Sequence, residues 1–218
     1  MAVNDRQIVE KCIEDGDIKR LLQLPETLDD FSEASIIKCV EYFLKSSDET
    51  LETATKHVSD SDISKSVPWV KNNMQAPFSD RRCYILNAML SQRFSPEFLQ
   101  EEAKLMPFDC VLGLAKYFNF LLTWMPVVPD SDILVPSLEQ IIEWLTALID
   151  GHFQQLKLAD DAIPIVDALL EQVSVMTRWQ TESLTLQGTL SELNRLFEKQ
   201  QQQRNTKVGD YCIEIITF

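Results

Sequence analysis

The segment 161–203 decides the fold, and it reads DAIPIVDALLEQVSVMTRWQTESLTLQGTLSELNRLFEKQQQQ. Its composition and apolar spacing predict one uninterrupted helix, far longer than the helices of average globular proteins. At 1.5 Å of rise per residue, such a helix spans about 60 Å. A helix of this length offers a surface for other helices to bind, and it encloses no pocket by itself.

The apolar residues of this segment form two stripes with a polar interval between them. The first stripe consists of Ile165, Leu169, Val173 and Met176, and after the interval 177–185 the second consists of Leu186, Leu190, Leu193 and Phe197. A continuous coiled coil tolerates such an interval poorly, so the two halves are expected to bury against different surfaces. We predict that the first half packs on a helix at 137–157 and that the second half contacts a partner or another copy of the chain.

Trp179 lies inside the polar interval, beside Arg178 and Gln180. Exposed aromatic side chains are frequent anchors of protein interfaces. A tryptophan at such a position also commonly covers a neighbouring helix of its own chain, and both interpretations stay open at this point.

The long helix is followed by a short segment typical of a β-strand, 211–218, which reads YCIEIITF. Alternation puts Ile213 and Ile215 on one face and Cys212, Ile216 and Phe218 on the other, so both faces are apolar. A single strand must find its backbone hydrogen bonds elsewhere, either within the chain or on a partner. We therefore predict partner contacts at Tyr211, Ile213, Ile215 and Phe218.

The rest of the chain predicts an all-α fold. Only 5 of the 218 residues are glycine, too few for the many tight turns of a sandwich or barrel. Capping residues and 3.6-residue periodicity predict helices at 5–15, 18–24, 33–45, 48–58, 80–93, 96–106, 108–124 and 137–157. Because no fixed period repeats, we expect an irregular array of helical hairpins or a bundle rather than a regular solenoid.

Two connecting segments predict how the chain is divided. The segment 58–78, rich in Ser, Asp and Pro, is typical of a flexible connection, and the proline-containing segment 127–136 is expected to be ordered but not helical. The second marks a boundary between an N-terminal helical array, 1–126, and a C-terminal unit, 137–218. The alternative is one continuous domain.

Charge and cysteine usage limit the classes of function. The formal net charge is −14, which disfavours direct binding to nucleic acid, although Arg195, Lys199, Arg204 and Lys207 could form a local basic patch. The five cysteines are widely spaced and odd in number, which is typical of reduced thiols in a cytosolic or nuclear protein. The longest apolar stretch, 111–128, is interrupted by Lys116 and Asn119 and is expected to be a core helix and not a membrane span.

Sequence motifs for catalysis and for metal or cofactor binding are absent. The chain holds only 2 histidines, no cysteine pair at zinc-site spacing, and no glycine-rich phosphate loop or nucleophile elbow. Asp150 and His152 are the one pair that suggests acid–base chemistry, but residues two apart on a helix do not face each other. We expect no enzyme activity and no cofactor, and we expect His152 and Phe153 to anchor their helix against the long one.

The C-terminal part of the chain resembles a known family. The sequence Leu148-Ile149-Asp150-Gly151-His152-Phe153, followed by a long helix and by Tyr211-x-Ile213-Glu214, is similar to the C-terminal domain of nucleolar protein 11. The resemblance covers roughly 137–218 and is weak before residue 107. Gly151, where a better helix former is expected, and the glutamine-rich end of the long helix depart from the family pattern.

The resemblance implies a subunit of the UTP-A subcomplex of the small-subunit processome, which supports transcription of ribosomal DNA and early processing of pre-ribosomal RNA. The chain would then be a non-enzymatic helical scaffold in the nucleolus, with other UTP-A subunits as partners, no membrane contact, and self-association through the long helix or the terminal strand as a further option. A helical tether or coat subunit of membrane traffic is the alternative, and an enzyme using Asp150 and His152 is a distant third.

Overall fold

The computed structural model describes residues 5–28, 30–69, 74–124 and 134–205. These residues contain ten helices and no strand, which confirms the all-α prediction for this part of the chain. The helices are α1 (Asp5–Asp15), α2 (Ile18–Thr27), α3 (Glu33–Lys45), α4 (Asp48–Ala54), α5 (Asp60–Ser66), α6 (Asp80–Leu90), α7 (Pro96–Ala103), α8 (Phe108–Trp124), α9 (Leu138–Leu158) and α10 (Ile163–Asn205).

Side-chain caps fix several of the helix starts. The Asp17 carboxylate accepts a hydrogen bond from the Arg20 amide at 3.0 Å, so α2 begins where the sequence predicts. At the start of α9, Ser137 and Gln140 form a reciprocal capping box. Ser79 and Ser95 also stand at cap positions, as their place in the sequence predicts, but neither side chain makes a capping hydrogen bond.

The start of α3 is held by a residue of α1. Asp5 Oδ2 accepts hydrogen bonds from the Ser32 amide at 2.9 Å, the Ser32 hydroxyl at 2.6 Å and the Ser35 hydroxyl at 2.7 Å. Partial burial raises the pKa of Asp5, but these hydrogen bonds together lower the pKa by more, so that it lies below its usual value. The ionised carboxylate therefore stabilises the junction of α1 and α3.

Helix α3 is at the centre of the first part of the fold. It packs against α1, α6, α7 and α8, and α9 packs in turn against α7 and α8. The core side chains of α3, which include Ile36, Cys39, Val40 and Phe43, are fully buried. Burying an aliphatic or aromatic side chain of this size contributes about 1.5–3 kcal/mol to stability, so α3 is a main source of stability for its neighbours.

The structure corrects the interpretation of 58–78 as a flexible connection. This segment contains α5, and it buries Trp69 completely against Tyr117, Phe120 and Trp124. Tyr117 donates a hydrogen bond to the Asn87 side chain at 2.7 Å, and Asn87 donates one to the carbonyl of Ser66 at 2.7 Å. Residues 70–73 lie outside the described part of the chain.

The chain divides into two compact units, 1–172 and 173–218. Helix α9 lies in the first unit with α7 and α8, and α10 begins there and continues into the second unit. The predicted boundary between an N-terminal helical array, 1–126, and a C-terminal unit, 137–218, stays a prediction, as does its alternative of one continuous domain. The predicted terminal strand, 211–218, lies outside the described residues.

Candidate functional site

Asp150 and His152 do not form a catalytic pair, because each side chain is bonded to a different partner. Asp150 accepts a hydrogen bond from the Gln100 side chain at 2.8 Å. His152 is buried, with Nε2 at 2.9 Å from the carbonyl oxygen of Ala103 and Nδ1 at 2.7 Å from the Gln155 side chain. A carbonyl oxygen can only accept, so Nε2 carries the proton in this bond. Both residues therefore attach α9 to α7.

Gly151 brings these two helices unusually close together. A Cβ atom at this position would lie 3.2 Å from Lys104 Cγ and 3.3 Å from Lys104 Cα. The helix is locally distorted at the next residue, His152, where φ is −120° and ψ is 18°. Glycine thus stands where a better helix former was expected because the backbone at the end of α7 leaves little room for a side chain.

The prediction that His152 and Phe153 anchor α9 against the long helix was wrong. His152 contacts Ala103 and the ring of Phe108, and Phe153 is 57% exposed. Periodicity could not reveal this arrangement, because it shows which face is apolar and not which helix covers that face. The start of α10 contacts α8, where the Gln172 side chain donates a hydrogen bond to the carbonyl of Leu122 at 3.0 Å.

The thiols of the described residues are buried in the core. Burial raises the pKa of Cys39 and of Cys83 to about 12 and that of Cys110 to about 11. A thiol with so high a pKa is a weak nucleophile at neutral pH. Cys12 is also buried, and burial raises its pKa.

The described ranges contain neither a cluster of metal ligands nor a membrane-spanning helix. No group of three or more His, Cys, Asp or Glu side chains is arranged to hold a metal ion there. Among the same residues, no helix has the length and the apolar character that crossing a bilayer requires.

The second half of α10 carries a stripe of exposed large apolar side chains. We call it the α10 stripe, and its members, each 44–62% exposed, are Trp179, Leu186, Leu190, Leu193 and Phe197. The structure thus presents the described partner-binding candidates on one continuous helix in the second unit, while Tyr211, Ile213, Ile215 and Phe218 lie outside the described residues.

Trp179 shares a face with the leucines of this stripe. It precedes Leu186 by seven residues, which is two helical turns, and Leu193 follows after seven more. Most of the polar interval lies on other faces, including Thr177, Thr181 and Thr185, whose hydroxyls bond to the carbonyl four residues earlier. The seven-residue spacing was visible in the sequence, and the stripe therefore begins at Trp179 and not at Leu186.

The residues beside the α10 stripe carry little net charge. Three amide side chains, Gln180, Gln187 and Asn194, follow one edge at seven-residue spacing. Arg195, one of the predicted basic residues, is paired with Glu192 through two hydrogen bonds of 2.7 and 2.9 Å. Such a surface can pair with another amphipathic helix without a large penalty from charge repulsion.

Comparison with known proteins links this chain to one family. Residues 5–218 match the family described as Nucleolar protein 11 C-terminal domain. The chain is 24% identical over 137 residues to Nucleolar protein 11 of Xenopus laevis, a match that covers 62% of this chain and 19% of the relative. It is 25% identical over 123 residues to Nucleolar protein 11 of Gallus gallus, covering 55% of this chain and 17% of the relative. The matches span about a fifth of the length of these curated relatives.

Proposed function

The chain belongs to the family of nucleolar protein 11 C-terminal domains, and from that premise we propose that it is a non-enzymatic scaffold for protein–protein interaction. In this proposal the chain is part of a nucleolar ribosome-biogenesis complex, the small-subunit processome, which supports transcription and processing of pre-ribosomal RNA. Its partners are other protein subunits of the UTP-A subcomplex. The word nucleolar in the names of the relatives supports this localisation.

The single observation that carries the proposal is the exposure of the α10 stripe. Five large apolar side chains are about half exposed over 19 residues of helix, from Trp179 to Phe197. Removing one such side chain fully from water is worth about 1.5–3 kcal/mol. A partner helix that covers the stripe gains part of this free energy, offset by the cost of ordering the complex.

The acidic composition supports protein partners over nucleic acid. A net charge of −14 repels a phosphate backbone, whereas it has no such effect on a neutral or basic protein surface. The proposal accordingly includes no direct binding of RNA and no catalysis by this chain.

The tail and self-association belong to the same proposal. Tyr211, Ile213, Ile215 and Phe218 are proposed as additional contacts on the basis of their sequence pattern. Because neutral amides flank the α10 stripe, two copies of the chain can also pair through it, and sedimentation of the purified chain measures that pairing.

A capture experiment from nuclear extract tests the proposal. The tagged chain is compared with the variants Leu190→Asp and Phe197→Asp, whose charges fall on the α10 stripe. Leu184→Asp is the matched control, because Leu184 is 62% exposed on the same helix but points away from the stripe.

We expect the unmodified chain and Leu184→Asp to retain proteins of the small-subunit processome and the two stripe variants to lose them. Recovery of coat or tethering proteins instead would favour the membrane-traffic alternative. An unchanged set of captured proteins with both stripe variants would show that the stripe is not the binding surface.

A further inference from the structure

The first unit carries a second exposed apolar surface, separate from the α10 stripe. On α9, the buried face is formed by Ile141, Trp144, Leu145 and Leu148. About a quarter turn away from it, four side chains that are 40–57% exposed follow one another along the helix: Leu138, Ile142, Ile149 and Phe153.

The start of α10 repeats this arrangement. Ile165 and Leu169 are buried in the first unit, whereas Ile163, Val166 and Leu170 are 39–65% exposed on an adjacent face. We call these three residues and the four exposed side chains of α9 together the α9–α10 surface, since both rows lie in the first unit. It contains seven large apolar side chains that are more than a third exposed, whereas an ordinary protein surface exposes such side chains singly.

Acidic residues border this surface along both helices. On α9, three acidic residues each come directly after an exposed apolar residue in the sequence: Glu139, Glu143 and Asp150. On α10, Asp167 lies between Val166 and Leu170. Asp160 and Asp161 are exposed in the connection between the helices. From residue 138 to residue 172 there is one basic residue, Lys157, against seven acidic ones.

The hydrogen-bond partner of Asp150 carries no charge, and the basic residue nearest to it in the described contacts is Lys104, which lies against Gly151 at the end of α7. The donor to Asp150 is the uncharged amide of Gln100, so this bond adds no positive charge beside the carboxylate. The α10 stripe differs in this respect, because amides line one of its edges and the segment 173–199 holds three acidic and three basic residues. The two surfaces therefore select partners of different charge.

We infer that the α9–α10 surface binds a basic amphipathic helix of another protein. The apolar face of such a helix covers the exposed isoleucines and Phe153, and its Lys and Arg side chains pair with the carboxylates of the border. A second copy of this chain would bring two acidic borders together, and an anionic lipid or RNA surface would be repelled in the same way. Among these occupants, only a basic amphipathic helix both buries the apolar side chains and pairs with the carboxylates of the border.

The experiment measures binding of three synthetic peptides to the whole chain by fluorescence anisotropy, with each peptide labelled with fluorescein. The peptides have about 18 residues, which is enough for five helical turns. The first is built from Leu and Lys with Leu at helical spacing, the second has the same composition in scrambled order, and the third replaces every Lys of the first with Glu. We expect the first peptide to bind at least tenfold more tightly than either of the others, with an affinity that falls as salt is raised.

Variants locate the binding to this surface. We expect Ile142→Asp with Phe153→Asp to weaken binding of the Leu/Lys peptide at least tenfold, and Glu139→Gln with Glu143→Gln to weaken it severalfold and to reduce its salt dependence. The second pair removes charge without touching the apolar residues, so it tests the surface even if the first pair disturbs folding. Leu190→Asp, on the α10 stripe, should leave this binding unchanged, which separates the present inference from the proposed function.

Three outcomes would overturn the inference. Equal affinity for the Leu/Lys peptide and its scrambled version would mean that charge alone drives binding. Unchanged affinity with both pairs of variants would put the peptide elsewhere. Self-association of the chain that Ile142→Asp abolishes would identify a second copy as the occupant.

Discussion

Three consecutive residues of α9 attach it to α7, and each does so in a different way. Asp150 accepts a hydrogen bond from Gln100, Gly151 lets the backbones approach, and His152 bonds to the carbonyl of Ala103. The motif that carries the family resemblance is thus explained by packing. His152 is buried and has a hydrogen-bond partner at each ring nitrogen, which gives it a structural role at this junction.

Substitution of glycine tests the close approach at Gly151. In a helix interior, Gly→Ala normally stabilises by about 0.5–1 kcal/mol, because glycine loses more backbone entropy on folding. We expect Gly188→Ala to show this gain in stability, because the alanine methyl group would have no neighbouring heavy atom within 4 Å. We expect the gain to be cancelled or reversed in Gly151→Ala, because the methyl group would press against Lys104. Amide hydrogen exchange in α9 and in α10 measures the two effects separately, and equal protection gains at both sites would contradict the steric explanation.

The Asp5 carboxylate predicts a pH dependence of stability. Its folded-state pKa lies below the unfolded value of 3.8, so ionised Asp5 stabilises the fold above that pH, and the stabilisation is lost as pH falls through the folded-state pKa. We expect Asp5→Asn to lower the free energy of unfolding by about 1 kcal/mol at pH 7. The difference from the unmodified chain should shrink below about pH 4, the usual carboxyl range.

Chemical denaturation at several pH values measures this difference. Glu10→Gln is the control, because Glu10 is exposed on the same helix and makes no hydrogen bond through its side chain in the described residues. A pH-independent loss of stability in Asp5→Asn would show that the carboxylate acts through packing and not through its charge.

At the scale of the element, local signals predicted some helices well and missed one. The bounds of α1, α3 and α8 agree with the sequence prediction, because these helices have clear apolar periodicity. Helix α5 was missed because its seven residues are mostly Ser, Asp and Lys, a composition typical of a connection. The packing of Trp69 against α8, about fifty residues away in sequence, holds this region in the core, and no local pattern shows such a contact.

The two halves of α10 should respond differently to the same substitution. Leu169 is 7% exposed and lies in the first unit, whereas Leu190 is 52% exposed. We expect Leu169→Asp to lower the free energy of unfolding by about 3 kcal/mol or more, because it buries an unpaired charge, and Leu190→Asp to change it by less than about 0.5 kcal/mol. Thermal unfolding followed by circular dichroism compares them, and a similar loss with both variants would mean that Leu190 is an ordinary core residue.

At the scale of the whole molecule, the candidate site was more predictable than its surroundings. The leucines and Phe197 of the α10 stripe follow from helical spacing alone. Trp179 has two interpretations in the sequence, and the structure leaves its side chain 58% exposed on the same helix. The α9–α10 surface could not be predicted in this way. The sequence of α9 is apolar on more than one face, and only the positions of α7 and α8 determine which of those faces is left exposed.

The last prediction concerns where the chain can be cut. If the boundary near residue 126 separated independent folding units, 1–126 would fold alone. However, Trp144 of α9 is fully buried, with its ring centroid 5.8 Å from that of Phe94 and 6.4 Å from that of Phe118. Removing α9 would uncover these rings and the end of α7 that Asp150 and His152 hold, so we expect 1–126 to lack a cooperative unfolding transition and to bind a dye for exposed apolar surface. A fragment 1–172, which matches the first compact unit, should unfold cooperatively within a few degrees of the whole chain. Cooperative unfolding of 1–126 at an undiminished temperature would instead support the boundary near residue 126 and would assign α9 a peripheral role in the fold.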